Sequence, residues 1–207
     1  MDTTYFIAWI KRAAQMVHEQ RLHLTDLDAV IGDADHGTNL DRGFTAVVRV
    51  LAETAPATPG AVLTTVGTTL IRKVGGASGP LYGTAFRQMG RTLGDAATVS
   101  PADLVSAFEA GLSRLRELGG ADVGDKTMVD ALTPAIEALA EVRNGAPWVD
   151  ALRGAAEAAA RGAKATIPLQ ARKGRASYLG PRSIGHEDPG AASSALIINA
   201  LYDVGRC

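Results

Sequence analysis

Apolar residues recur at helical spacing along most of this chain, and no segment alternates convincingly as a strand. One such stripe near the N-terminus consists of Phe6, Ile10, Ala13 and Val17. Residues three or four apart share one face of an α-helix, so each stripe predicts an amphipathic helix. Alanine, the strongest helix former, is abundant. The pattern predicts an all-α fold, an antiparallel bundle of about eight helices with one long loop near the C-terminus.

Composition narrows the classes of protein to consider. The chain has 207 residues, 46% of them hydrophobic, and we expect one domain over residues 1–207. The formal net charge is −1 and there is no basic block, which argues against nucleic acid as a partner. There is neither a leader pattern nor an apolar run of membrane length, so we expect a cytoplasmic protein with no membrane partner. The single cysteine, Cys207, excludes an intrachain disulfide framework.

The segment 28–39, DAVIGDADHGTN, concentrates acidic side chains between two helical stripes. Asp28, Asp33 and Asp35 offer hard oxygen ligands of the kind that suits Mg2+. On one unbroken helix Asp33 would point away from the other two. The two glycines of this segment are helix breakers, however, so a turn could bring all three carboxylates together. The same composition is typical of an ordinary loop and helix N-cap, and that alternative stays open at this point.

Two segments resemble the start of a helix that could hold phosphate. Asn39 is a predicted N-cap for the helix after the aspartates, and the N–H groups at a helix start carry a partial positive charge. The segment 75–86, GGASGPLYGTAF, predicts a tight loop entering a helix, with Ser78 as its N-cap. It lacks the Gly-Lys-Ser/Thr of a Walker A loop. It is either a second phosphate cradle or a plain connection between helices.

Two later segments carry further candidates. The motif GDKTMVDAL at 124–132 predicts a helix capped by Asp125, with Met128 in its core stripe. In the segment 167–190 the apolar residues do not recur at a regular spacing, and the segment carries basic side chains that include Arg175. A loop of this length inside a compact domain is uncommon. It is either a mobile connection or a lid that closes over an anionic ligand.

Four motifs, in this order, resemble one family: the nucleotide-binding L subunit of bacterial dihydroxyacetone kinase. They are IGDADHGTN at 31–39, GGASGPLYG at 75–83, GDKTMVDAL at 124–132 and GRASYLGPRSIGHEDPGAASS at 174–194. They are spread over most of the chain, so together they are far more specific than any one motif. The chain departs from the family pattern at Ala34, where Gly is common, and at Val129, where Leu is common. Neither departure removes a functional atom.

The resemblance implies an eight-helix antiparallel barrel with the nucleotide at one end. It implies that Asp28, Asp33 and Asp35 hold two Mg2+ ions that bridge the phosphates of ADP or ATP. It implies no catalytic residue beyond this metal and phosphate site. The residues that the resemblance places around the nucleotide are His36, Gly37, Thr38, Asn39, Ala77, Ser78, Gly79, Gly120, Met128, Arg175, Asp188, Pro189 and Gly190.

The resemblance also implies partner proteins. In the family, dihydroxyacetone is held by a histidine of a separate K subunit, and members that work with the phosphotransferase system have ADP recharged in place by a phosphorylated M subunit. We therefore expect a kinase subunit that is inactive without its K subunit, with an M subunit as the phosphoryl donor. Several alternatives stay open: the L subunit of a two-subunit ATP-dependent kinase for a related ketose or tetrose, a homodimer, a metal-dependent hydrolase, and a non-catalytic nucleotide-sensing partner of a regulator.

Overall fold

The helices predicted from the apolar stripes are present in the computed structural model, which describes residues 1–206, so that Cys207 lies outside the described residues. Residues 1–206 contain no strand. The α-helices are α1 (Thr3–Ile31), α2 (His36–Thr54), α3 (Pro59–Lys73), α4 (Ser78–Leu93), α5 (Pro101–Gly119), α6 (Met128–Ala140), α7 (Trp148–Ala165) and α8 (Pro189–Gly205). Two short 3-10 helices are Glu141–Asn144 and Arg175–Ser183. The predicted all-α class is confirmed.

The eight α-helices form a closed ring. Each helix contacts the next one along the chain, and α8 contacts α1. The connections α1–α2, α3–α4, α5–α6 and α7–α8 all contribute residues to one open cavity, so alternate connections meet at the same end of the ring. Neighbouring helices therefore run antiparallel, as predicted. Within residues 1–206, none of the helices combines the length and the apolar character needed to cross a bilayer.

The core is organised around Trp9, which is fully buried on α1. Its ring centroid lies 5.8 Å from that of Phe86 on α4 and 5.6 Å from that of Phe108 on α5. Its indole N–H donates to the carbonyl oxygen of Ile197 on α8 at 3.0 Å. A buried indole N–H needs such an acceptor, so one side chain holds four helices at a fixed distance from one another.

Glycines bring α3 and α4 into backbone contact. A Cβ atom built on Gly67 would lie 2.4 Å from the carbonyl oxygen of Gly83, and one built on Gly90 would lie 2.5 Å from that of Gly60. These distances are too short for any side chain. The two helices therefore pack backbone to backbone, and this contact fixes the direction in which their connecting loop, residues 74–77, enters the cavity end of the ring.

The start of α2 differs from the prediction. The N-terminal apolar stripe ends at Val17, but α1 continues to Ile31. Asn39 is not an N-cap, because it lies one turn inside α2, and the N-cap position is Asp35. No capping bond is made by the Asp35 side chain. The acceptor that a local cap would supply comes instead from a carboxylate on α1, described below.

Only one of the two glycines predicted to break a helix does so. Gly32 is the C-cap of α1. Gly37 lies inside α2 and is buried. A Cβ on Gly37 would lie 2.0 Å from the carbonyl oxygen of Arg21 on α1. Gly37 therefore permits α1 and α2 to cross closely. A glycine is needed here because there is no room for a side chain, and backbone flexibility is not the reason.

Two more predicted caps are wrong. Ala77 occupies the N-cap position of α4, and Ser78 is the first helical residue. Thr127, not Asp125, caps α6, and Asp130 completes a capping box with it. A capping box satisfies two backbone N–H groups, so it outcompetes a single capping carboxylate two residues earlier.

The long segment 167–190 is more ordered than predicted. The 3-10 helix Arg175–Ser183 occupies its middle, and α8 begins at Pro189 with Asp188 as its N-cap. The side chain of Asp188 accepts the backbone N–H of Ala191. A Pro in the first helical position after a capping Asp is a strong helix-start signal. It was overlooked because the apolar residues before it do not recur at helical spacing.

The glycine contact between α3 and α4 generates a stability prediction. Gly67→Ala should lower the free energy of unfolding by about 1–3 kcal/mol, the usual cost of overpacking, because its Cβ must displace the α4 backbone. Gly154→Ala is the matched control: its Cβ would meet nothing closer than Ala138 at 3.8 Å. It should raise stability by about 0.5–1 kcal/mol through helix propensity. Urea unfolding measures both, and equal midpoints for Gly67→Ala and the unmodified chain would contradict the backbone contact.

Candidate functional site

The carboxylate of Asp28 joins the end of α1 to the start of α2. Its Oδ2 atom accepts the backbone N–H of Asp35 at 2.9 Å and that of His36 at 3.1 Å. The first N–H groups of a helix have no partner within the helix, so this acceptor fixes where α2 begins. A Cβ on Gly32 would lie 1.9 Å from Oδ1 of Asp28, which explains why a glycine follows α1.

The turn brings Asp28, Asp33 and Asp35 together. One carboxylate oxygen from each lies within 4.8 Å of the others. Asp28 is buried, whereas Asp33 is exposed and Asp35 is intermediate, so the cluster faces outward from a buried base. The guanidinium of Arg175 lies 3.0 Å from Oδ2 of Asp33 and offsets part of the negative charge. An oxygen-only donor set of this kind fits a hard divalent cation such as Mg2+.

Four helix N-termini open onto an adjoining cavity of about 440 Å³, a volume typical of a small-molecule site. The first residues of α2, α4, α6 and α8 all line this cavity. Each helix start carries roughly half a positive elementary charge. The site thus combines a negative cluster that suits a cation with positive backbone ends that suit an anion.

Most of the sequence-predicted site residues line this cavity. They are Asp28, Asp33, Asp35, His36, Asn39, Ala77, Ser78, Met128, Arg175, Asp188, Pro189 and Gly190. The other four, Gly37, Thr38, Gly79 and Gly120, are not among its lining residues. Gly37 and Gly79 are packed against neighbouring backbone, and Gly120 has a φ of 56° at the end of α5.

A chain of hydroxyl and imidazole groups crosses the base of the site. Ser78 Oγ lies 3.1 Å from His36 Nδ1, and His36 Nε2 lies 2.9 Å from Ser193 Oγ. Ser193 Oγ lies 2.7 Å from the hydroxyl of Tyr82, which is also 2.7 Å from Ser194 Oγ. Burial lowers the pKa of His36 and so favours the neutral ring, although the carboxylates of Asp28 and Asp35 act in the opposite direction.

Lys126 is the most unusual residue that sequence reasoning missed. It is 1% exposed, and it adopts a φ of 64°, which non-glycine residues rarely do. Its ammonium donates to the carbonyl oxygen of Thr166 at 2.8 Å and to that of His186. Burial lowers the pKa of Lys126. A lysine in a short polar motif gives no sequence signal of burial, so only the fold reveals this role.

Asp188 occupies an electrostatically costly position. Burial raises its pKa to about 7, and the charge of Asp130 acts in the same direction, while Lys126 and the N–H groups of α8 act against it. Its backbone N–H donates to Thr166 Oγ1 at 2.9 Å. Next to it, a Cβ on Gly190 would lie 3.5 Å from the terminal methyl of Met128, so Gly190 and Met128 form one continuous wall of the cavity.

The fold and the site together define a class: a closed ring of eight antiparallel helices that presents an acidic cluster and four helix N-termini at one open end. The DAK2 domain family model matches residues 30–203 of the chain. The chain is 42% identical over 200 residues to the PEP-dependent dihydroxyacetone kinase 1, ADP-binding subunit DhaL, of Listeria innocua, a match that covers 97% of this chain and 96% of that protein. It is 41% identical over 202 residues to the PEP-dependent dihydroxyacetone kinase, ADP-binding subunit DhaL, of Escherichia coli K12, with 97% and 96% covered.

A solved structure has the same fold. The dihydroxyacetone kinase from C. freundii in complex with AMP-PNP and Mg2+ superimposes with a TM-score of 0.77 at 26% identity. The match covers 98% of this chain but only 34% of that one, so the present chain spans about a third of the solved kinase. The chain therefore belongs to the DAK2 domain family, and its resemblance to the L subunit of dihydroxyacetone kinase is confirmed.

The departure from the family pattern at Ala34 generates a second prediction. Ala34 has a φ of 61° between two of the clustered aspartates. A left-handed conformation costs an L-residue roughly 1–2 kcal/mol, and glycine avoids this cost at some expense in chain entropy. Ala34→Gly should therefore raise the free energy of unfolding by up to about 1 kcal/mol. Ala160→Gly, on the exposed face of α7, is the control and should lower it by about 1 kcal/mol. Urea unfolding in EDTA, without nucleotide, measures both, and destabilisation by Ala34→Gly would contradict the strain.

Proposed function

We propose that this chain is the nucleotide-binding subunit of a dihydroxyacetone kinase, which binds ADP or ATP with two Mg2+ ions and passes the terminal phosphoryl group to dihydroxyacetone held on a separate K subunit. The observation that carries the proposal is the cluster of Asp28, Asp33 and Asp35 beside four helix N-termini. It occurs in a chain that matches ADP-binding subunits over nearly its whole length. We expect this assembly in the cytoplasm.

The proposed metal ligands are Asp28, Asp33 and Asp35. Three carboxylates supply enough oxygen ligands for more than one ion when nucleotide phosphates and water complete each coordination shell. Bound in this way, the ions would neutralise the phosphate charge that opposes phosphoryl transfer. Asp28 has a further task, because its Oδ2 atom holds the α2 start and leaves Oδ1 free for a ligand.

The proposed phosphate contacts come from the starts of α2 and α4. His36, Gly37, Thr38 and Asn39 form the first turn of α2, where the backbone N–H groups of Gly37 and Thr38 have no acceptor within the helix. The N–H of His36 donates to Asp28, and that of Asn39 donates to the carbonyl oxygen of Asp35. Ala77, Ser78 and Gly79 enter α4 in the same way. These donors are fixed by packing before any ligand arrives, which is the positioning that phosphoryl transfer requires of a protein.

The proposed nucleoside contacts lie on the opposite wall. Met128 and Gly190 provide an apolar surface for the adenine or ribose, and Gly120 lies at the nearby end of α5. Asp188 and Pro189 form the start of α8 beside them. Arg175 closes the site from above, since its 3-10 helix reaches back to the acidic cluster.

The proposed partners follow from the open mouth of the site. The acceptor must approach from outside, where an acceptor-bearing K subunit would meet the terminal phosphate. The relatives are named PEP-dependent, which supports recharging of bound ADP by an M subunit of the phosphotransferase system in preference to exchange with free ATP. We propose this arrangement as a single domain, residues 1–207, that contributes one component of the kinase.

The metal and nucleotide assignment is tested by thermal unfolding of chelator-stripped protein. At a nucleotide concentration of about 100 times the dissociation constant, ADP with Mg2+ should stabilise the fold by about 2.7 kcal/mol. For a chain of this size that is a rise in Tm of roughly 5–10 °C. ADP with EDTA should give no shift. Asp33→Ala or Asp35→Ala should abolish the metal-dependent shift without loss of helical circular dichroism, because the cluster lies in a turn between helices.

Asp26→Ala is the matched control. It removes an exposed carboxylate from α1 two residues before Asp28 and should leave the ADP and Mg2+ shift unchanged. Unaltered ADP affinity in both Asp33→Ala and Asp35→Ala would refute the metal assignment.

The subunit role is tested by turnover. The pure chain with ATP, Mg2+ and dihydroxyacetone should form no product, and addition of a K subunit and a phosphoryl donor should start the reaction. Product formation is measured with a coupled dehydrogenase that consumes dihydroxyacetone phosphate. Turnover of dihydroxyacetone by the chain alone would contradict the division of labour, and hydrolysis of ADP or ATP by the chain alone would favour the hydrolase.

A further inference from the structure

The chain of polar groups at the base of the site contains side chains with no role in the proposed function, among them Tyr82 and Ser193. We propose that Tyr82 is a positioning residue that acts through Ser193 and His36 to turn the hydroxyl proton of Ser78 toward the phosphate of a bound nucleotide. The inference rests on the proposed nucleotide site and adds a mechanism by which a buried tyrosine controls its affinity.

With a neutral imidazole, the bonds that join His36 to Ser78 and Ser193 allow two arrangements of their protons. A neutral imidazole carries one proton, so one ring nitrogen donates and the other accepts. In the first arrangement, Ser78 donates to Nδ1 of His36, and Nε2 donates to Ser193. In the second, Ser193 donates to Nε2, and Nδ1 donates to Ser78 Oγ. Only the second leaves the Ser78 proton free to point into the cavity, and no group gains or loses a proton between the two.

Tyr82 biases the choice through the carbonyl oxygen of Gly190. This oxygen lies 3.1 Å from the hydroxyl of Tyr82 and also 3.1 Å from Ser193 Oγ. Tyr82 is 3% exposed, and burial raises its pKa, so the phenol keeps its proton as a donor. When Tyr82 donates to Gly190, it occupies one of the two lone pairs of that carbonyl oxygen and makes it a weaker acceptor for Ser193, which favours donation by Ser193 to His36. Without the phenol, Ser193 donates to Gly190, and the Ser78 proton is held on His36.

An anionic ligand selects the second arrangement. Hydrogen bonds to phosphate oxygens are roughly twice as strong as neutral ones, so a phosphate beside Ser78 favours the state in which that hydroxyl donates outward. Ser78 and His36 both line the cavity, whereas Tyr82 and Ser193 do not. Tyr82 and Ser193 therefore reach the phosphate side of the cavity through His36 and Ser78, and they reach its nucleoside side only through the backbone of Gly190.

A double-mutant cycle on the full chain tests this order of action. Calorimetry with ADP and Mg2+ should show affinity about tenfold weaker for Ser78→Ala, which corresponds to about 1.4 kcal/mol. Tyr82→Phe should weaken binding about fivefold, which corresponds to about 1 kcal/mol. In the Ser78→Ala background, Tyr82→Phe should weaken the affinity less than about twofold, because the Ser78 hydroxyl that it orients is absent. A merely structural role for the phenol would give equal losses in both backgrounds.

Tyr202→Phe is the matched control. Tyr202 is on α8, about 18 Å along the helix from Gly190, and its loss of a hydroxyl should leave affinity unchanged. Nitrogen-15 NMR of His36 provides a readout independent of affinity. Addition of ADP and Mg2+ should place the ring proton on Nδ1 in the unmodified chain but not in Tyr82→Phe.

The outcomes separate the two proposals. Failure of the unmodified chain to bind ADP with Mg2+ would overturn the proposed function, and with it the positioning role of Tyr82. If the unmodified chain binds normally, three results would overturn the role of Tyr82 alone. They are an unchanged affinity of Tyr82→Phe, equal losses for Tyr82→Phe with and without Ser78→Ala, and a ring proton on Nε2 of His36 in the bound state.

Discussion

The two hydrogen bonds that Asp28 accepts across the turn between α1 and α2 set the geometry of the whole site. They fix the start of α2 against the end of α1, and so they fix Asp33 and Asp35 relative to Asp28. The same carboxylate keeps its other oxygen for a ligand. Since the acceptor is already satisfied by backbone donors, the cluster is organised before any cation arrives, and little chain entropy remains to be lost on binding.

The positive helix ends and the negative cluster are complementary parts of one electrostatic arrangement. Hydrogen bonds of buried side chains, His36 and Tyr82 among them, join the starts of α2, α4 and α8. Lys126 and Asp188 are ionisable groups of opposite sign in the same wall, and burial disfavours the charged form of each. Such costly groups persist where the fold surrounding them is over-determined, as it is in a closed ring with a packed aromatic centre.

The helices were predictable because each apolar stripe is local, and the three aspartates were predictable because they lie within eight residues of one another. The caps were not. The acceptor at the start of α2 is supplied by Asp28 from the preceding helix, and the Ser78 hydroxyl bonds to His36, which is 42 positions away. Lys126 and Tyr82 gave no signal because their roles depend on which distant carbonyl groups the ring brings to them. Sequence pattern thus predicted most of the side chains that line the cavity but not the groups that orient them.

The contacts of Lys126 divide the connection between α7 and α8 into two mechanically different parts. Its base is pinned by the bonds from Lys126 to Thr166 and His186 and by the bond from Asp188 to Thr166. The outer part, residues 173–182, lies between the bond from the Arg172 N–H to the carbonyl oxygen of Asp125 and the fully buried Ser183, and it reaches the acidic cluster through the exposed contact of Arg175 with Asp33. Salt screens an exposed ion pair far more than it affects buried hydrogen bonds. The two parts of one connection should therefore respond differently to ionic strength, the outer part first and the base and α8 hardly at all.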